Sequence, residues 1–183
     1  FKKEGLEKEA AGAFEESEKY LETYEYTNFL RNYFISRADT FRSEGNLDLA
    51  EAALKKHLRL NAHDSEAWHR LGEIQREQKR LHEAFESFSK AVFLNPKNHF
   101  WYWWNFFDTA EKLGRRQAIE EKTPELLALL ASYENQLKIN LHFTRATPNA
   151  SASVALWKFL AKFYPENSAE YLQKAANFEA LSS

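Results

Sequence analysis

SEAWHRLGEIQREQKRLHEAFESFSKAVFLNPKN, residues 65–98, is the stretch on which the fold turns. Trp68, Leu71, Gly72, Ala84, Phe88, Ala91 and Pro96 stand at its positions 4, 7, 8, 20, 24, 27 and 32. The pattern reads as two antiparallel helices. Gly72 and Ala84 are small where two helix backbones must come close, and Trp68 and Phe88 fill the space above and below that contact. Pro96 cannot continue the second helix, so the chain turns there. Asp64 or Ser65 is placed to cap the first helix.

Working outward, the same spacing recurs. Ala50, Ala84 and Ala118 lie 34 residues apart, and so do Leu60 and Leu94, Asn61 and Asn95, Ala38 and Gly72, and Leu54 and Phe88. A fixed period of this length means stacked copies of one helix–turn–helix unit. On the seven residues quoted, 65–98 resembles a tetratricopeptide repeat, with pattern W-x2-L-G, A-x3-F, A and P. Gln75 stands where that family has a tyrosine. The resemblance implies an all-α fold: a right-handed α-solenoid of helix-turn-helix hairpins, spanning 1–183 as a single helical-repeat domain with degenerate C-terminal helices.

The other units match less well. Residues 31–64 carry Phe34, Ala38, Phe41, Gly45, Ala50 and Leu54 in register, with His57 and Ala62 departing from the pattern. Residues 99–132 keep Tyr102 and Ala118 but have bulky Phe106 at a small position, Gly114 one place late and Lys122 at position 24. They read as a distorted repeat. Within 1–30, Gly5, Ala10, Phe14 and Ser17 have the spacing of a second helix, so this stretch is either half a repeat or an N-terminal cap. Residues 124–183 lose the period. Pro124 is set to open a helix over Glu125–His142, 143–153 reads as a loop, Trp157, Leu160, Ala161 and Tyr164 restore a first-helix pattern, Pro165 ends it, and Ala169–Leu181 forms a last helix.

Composition narrows the function. Charged residues are 28% and net charge is −2. Basic and acidic side chains number 4 and 8 in residues 1–30, 12 and 10 in 31–98, and 9 and 9 in 99–183, so no segment is basic enough for nucleic acid. The apolar run His99–Phe107 is far short of the roughly 20 residues that cross a bilayer, so this segment does not insert in a membrane. Cysteine is absent, which removes thiol catalysis and cysteine–zinc sites but leaves the compartment open between cytoplasm, favoured, and periplasm. The chain begins at Phe1, which leaves room for an upstream anchor or further repeats. His57, His63, His69, His82, His99 and His142 form no H-E-x-x-H pair, no glycine-rich phosphate loop or G-x-S-x-G is present, and Asn149-Ala150-Ser151 is a sequon by pattern alone. The expectation is a protein with no catalytic residues, metal or cofactor.

By resemblance to the family, positions 2, 5, 6, 9, 12 and 13 of each unit point into a concave groove. The second unit then presents His69, Arg70, Glu73 and Arg76, and the third presents Phe100, Trp103, Trp104 and Phe107. Tyr102 and Phe106 point the other way, so the first helix of the third unit has two aromatic faces where hairpin packing needs one. The surplus face must be covered or used. Either it cradles a partner peptide or helix, or the leucine-rich stretch 125–142 folds over it. Under the first reading, replacing Trp103 and Trp104 by alanine removes capture and leaves the fold intact. Some members of the family hold acidic C-termini with a carboxylate clamp. Its positions are filled here by Ile35, Asp39, Arg70, Phe100 and Trp104, so that clamp is not expected.

The expected function is a non-catalytic scaffold or adaptor that binds a protein or peptide. Two alternatives stand beside it: the soluble repeat domain of a membrane-anchored bacterial assembly or export apparatus, serving polysaccharide, pilus, outer-membrane protein or cytochrome maturation, and the regulatory subunit of an enzyme. An enzyme proper would have only His69, Glu73 and Arg76 to offer.

Overall fold

The computed structural model describes residues 24–96, 100–139 and 148–182, and every described element is helical. The half-repeat reading of Gly5–Ser17 and the loop residues 143–147 lie outside the described residues. The chain divides into two compact units, Phe1–Ala62 and His63–Ser183.

In the first unit, α1 (Tyr24–Ser43) and α2 (Leu47–Leu60) form a closely packed hairpin. Leu30, Phe34, Ala38, Ala50, Leu54 and Leu58 are its core. The turn between them is a C-terminal cap with Gly45 at φ 78°. Gly45 N–H donates to the Arg42 carbonyl at 3.0 Å and Asn46 N–H to that of Phe41 at 2.8 Å.

The second unit begins with α3 (Ser65–Glu77) and α4 (Leu81–Leu94), the hairpin of residues 65–98. Asp64 caps α3 as expected, accepting from the N–H groups of Glu66 at 3.0 Å and Ala67 at 3.2 Å. The close approach falls at Gly72, where an added Cβ would lie 2.6 Å from the Phe88 ring. Gln75 replaces the usual tyrosine because a buried polar pair stands there: Ser87 Oγ donates to Gln75 Oε1 at 2.7 Å, tying α4 to α3.

The α3–α4 turn repeats the two capping bonds of the α1–α2 turn, without a counterpart of the Leu47 N–H to Gly45 carbonyl bond. Lys79, at φ 63°, takes the place of Gly45, and its N–H donates to the Arg76 carbonyl at 2.9 Å. A third copy joins α5 (Phe100–Lys112) to α6 (Arg116–Ile139), with Gly114 at φ 66° donating to Glu111 at 2.9 Å. The turn residues are thus 34 and then 35 apart. The extra residue corrects the sequence register. The counterpart of Ala50 and Ala84, both fully buried, is Ile119 in the core; Ala118 is only half-buried. The Ile119 N–H bonds to Arg115 O as those of Ala50 and Ala84 bond to Asn46 O and Arg80 O.

Two further expectations are corrected in the C-terminal part. Pro124 does not open a helix; it lies inside α6, which runs through it. Proline removes one N–H from the ladder. Beside it Thr123 Oγ1 donates to the Ile119 carbonyl at 2.7 Å and accepts from Tyr164 Oη at 3.1 Å, so the disturbed turn is pinned from outside. Residues 148–153 are helical rather than loop, because α7 (Pro148–Phe163) starts at Pro148. The sequon Asn149–Ser151 falls in its first turn. A short 3-10 turn, Pro165–Asn167, leads into α8 (Ser168–Ser182), and α7 and α8 pack closely as a last hairpin.

The α5–α6 pair is more open than the other hairpins. In the register set by the turns, Phe107 stands where Gly72 and Ala38 stand in the earlier copies, and its ring meets Phe159 of α7 at 5.5 Å between centroids. A phenyl group at the point of closest approach holds two helices apart. The α7–α8 hairpin packs against α5, so the widened unit still closes into one core of α4, α5, α6, α7 and α8 side chains.

Candidate functional site

The predicted recognition residues fall into two sets with different fates. His69, Arg70, Glu73 and Arg76 line one side of α3, and all four are half-buried. Phe100, Trp103 and Phe107, on α5, are core residues; Trp103 and Phe107 are both 0% exposed. Phe100 meets Tyr133 of α6 at 5.0 Å, and Phe107 meets Phe159 of α7 at 5.5 Å. Trp103 stacks near Phe107 at 6.0 Å, and its indole N–H donates to the Pro96 carbonyl at 2.9 Å. Trp104 is half-buried, with Phe159 edge-on at 6.4 Å.

The surplus aromatic face is therefore covered from within. Leu126, Leu130 and Tyr133 of the 125–142 stretch contribute, as foreseen, but α7 supplies Phe159 as well. The expectation that alanine at Trp103 and Trp104 spares the fold is corrected: among the described residues Trp103 is the largest fully buried side chain. Deleting such a side chain costs about 3–5 kcal/mol.

Between α3 and α5 lies a polar network that residue spacing did not reveal. Arg76 Nη1 donates to Asn105 Oδ1 at 2.7 Å, and Asn105 Nδ2 lies 2.7 Å from His69 Nε2. A guanidinium has donors only, so the amide must turn its oxygen to Arg76 and its NH2 to His69. His69 Nε2 is then an acceptor, and its proton sits on Nδ1. The imidazole stacks on Tyr102 at 4.4 Å and lies 5.6 Å from the Phe88 ring. Burial, with the Glu66 carboxylate as second cause, pushes the Tyr102 hydroxyl up to about 12. The Arg76 guanidinium also sits over Phe88 at 5.6 Å and lies 3.9 Å from Asp108, which Lys112 holds at 2.6 Å. Arg70 is held along α3 by Glu66, at 3.2 and 2.8 Å.

Buried Asn105 is thus the organiser of the site. Its signal in the sequence was its type: it is the single amide within the aromatic run Phe100–Phe107, at the place where, in the register set by the turns, the second unit has Arg70. A polar residue at a core position announces a partner across the interface. Three cations, Arg70, Arg76 and Lys112, stand among three carboxylates, Glu66, Glu73 and Asp108. The surface is one of mixed donors and acceptors rather than an anion trap. Among the described residues no cluster of histidine and carboxylate side chains has the arrangement of a metal site.

Helical hairpins joined by a recurring cap define the class: an all-α, solenoid-type helical-repeat protein. Residues 65–98 match the family model described as Tetratricopeptide repeat, so the unit recognised from its residues is such a repeat. Solved structures with this fold include MamA, at 16% identity and TM-score 0.52, covering 84% of this chain and 93% of that one. Another is an O-GlcNAc transferase variant from Thermobaculum terrenum, at 20% identity and TM-score 0.50, covering 78% of this chain and 27% of that one. No curated protein sequence matches the chain. The repeat and the fold together support a protein-interaction scaffold in general, and a fold of this kind is typically non-catalytic.

Proposed function

We propose that the chain captures a protein partner as an extended peptide or helix laid along the α3–α5 face, with His69, Arg70, Glu73 and Arg76 as the contacting groups and Trp104 at the edge. The observation that carries this reading is the double grip of Asn105. One buried amide holds a half-exposed imidazole and a half-exposed guanidinium side by side, in fixed orientation, before anything binds. Side chains already ordered lose little entropy on docking, which is where such a surface gains affinity. The mixed charge favours a peptide offering main-chain amides and polar side chains over a purely acidic tail. Phe100, Trp103 and Phe107 serve as the floor that keeps α5 rigid beneath it.

The test replaces charge at the rim and leaves the core alone. Arg70→Glu/Arg76→Glu should retain the helical signal, melt somewhat lower because buried Asn105 loses its donor at a cost of about 1–3 kcal/mol, and lose capture of its partner by at least about tenfold while still folded, since hot-spot arginines carry about 1.4 kcal/mol or more each. Capture from native lysate that is equal for parent and double variant would remove this face as the binding surface.

A further inference from the structure

The first unit has an apolar face lined by α1 residues other than those at the groove positions assigned by resemblance. A cavity of about 320 Å³ opens between α1 and α2. Its walls are apolar and aromatic, and the charged side chains lining it, Arg37, Lys56 and Arg59, are all basic. Arg37 lies over the rings of Tyr33 and Phe41, at 5.9 and 4.8 Å, and Lys56 over Phe34 at 5.7 Å. Cation–π contacts orient these charges without neutralising them. Among the described residues neither Arg37 nor Arg59 has a carboxylate partner.

The shape is linear. Phe29, Tyr33, Arg37 and Phe41 follow one another at every fourth position of α1, a stripe about 18 Å long. Phe29 and Leu49 are 58% and 51% exposed. A stripe of this length, apolar along its floor and flanked by cations, fits three turns of a helix better than a compact small molecule.

We infer that this α1–α2 groove docks an acidic amphipathic helix of a partner protein, its apolar side chains on Tyr33, Phe41 and Leu49 and its carboxylates on Arg37, Lys56 and Arg59. Charge complementarity selects the occupant: apolar side chains alone would leave the Arg37 and Arg59 guanidiniums without an anion, and a basic helix would be repelled. The inference is independent of the α3–α5 reading.

The probe is a synthetic helical peptide of about 16 residues, long enough for the stripe, with a Leu/Phe face flanked by glutamates. Its twin carries glutamine for every glutamate. Titrated by fluorescence anisotropy into the full chain, the acidic peptide should bind at least about tenfold more tightly than its twin, and Arg37→Glu/Arg59→Glu should erase that difference, as expected for two or three partly exposed ion pairs. Leu49→Glu should weaken both peptides. Arg70→Glu/Arg76→Glu should change neither, which separates this test from the one above. Equal binding of the twins, or no effect of Arg37→Glu/Arg59→Glu, would overturn the inference. So would binding that emerges only when Glu15, Glu16 and Glu18 are replaced by glutamine, because the occupant would then be the chain's own acidic start.

Discussion

Lys79 is in the left-handed region, at φ 63°, where its counterparts Gly45 and Gly114 sit at 78° and 66°. A side chain there crowds the following carbonyl and costs roughly 1–2 kcal/mol, whereas glycine does so without steric cost. Yet the turn forms, because its N–H and that of Arg80 cap the last carbonyls of α3 at 2.9 and 2.8 Å. Lys79→Gly should therefore stabilise the protein. Glycine also gains freedom in the unfolded chain, which takes back up to about 1 kcal/mol, so the net gain is about 0.5–1 kcal/mol, visible as a higher midpoint in urea at unchanged slope. An unchanged or lower midpoint would mean that the lysine side chain makes a contact worth more than the strain. This position also shows why the repeat hides at the turn. The family pattern has its glycine at Gly72, within the first helix, while the cap needs only a backbone conformation that three different tripeptides adopt.

At the scale of the helix pair, Gly72 decides how close α3 and α4 come. Replacing it with alanine gains about 1 kcal/mol of helix propensity. It also places a methyl group 2.6 Å from Phe88, a ring that is fully buried and has nowhere to retreat. Overpacking of that kind costs typically about 1–3 kcal/mol, so Gly72→Ala should lower stability by about 1 kcal/mol overall, measured by thermal melting. A stabilised variant would show that the hairpin can spread, as α5–α6 already does around Phe107. This steric logic made the α3–α4 hairpin legible: seven residues at fixed offsets each have one packing reason. The α6 and α7 boundaries were not legible for a related cause. Proline is compatible with a helix's first turn, so the sequence points to a start at Pro124, which is interior, and the Ala, Ser and Asn residues around Pro148 point to a loop where a helix opens. What distinguishes them is tertiary. Thr123 is buried and bonded to Tyr164, 41 residues away, and no local pattern encodes that support.

Across the second unit, the aromatic excess of α5 poses one question: is α7 a removable cover or part of the core? The sequence showed that the face needed covering, because Phe100, Trp103, Trp104 and Phe107 share it. It could not show which segment supplies the cover, since Phe159 and Tyr133 reach α5 only once the chain has widened at Phe107 and returned. The geometry favours core. Phe159 touches Phe107 and Trp104 on one side and stacks on Phe163 at 5.8 Å on the other, and Lys162 closes the rim on Glu111 at 2.7 Å. A surface ion pair of that kind contributes little, but burying Phe159 between two helices contributes as much as any core phenylalanine. Phe159→Ala should accordingly cost about 3–5 kcal/mol, lowering the melting temperature by about 10 °C or more and raising amide exchange in α5 and α7 together. A loosely held cover would behave otherwise: its loss would leave the melt nearly unmoved and expose Trp104 fluorescence alone. Because Trp104 and Phe107 stand beneath the same ring, coupled loss of protection in α5 would also explain why recognition must be tested at Arg70 and Arg76, where charge can be reversed without opening the apolar core.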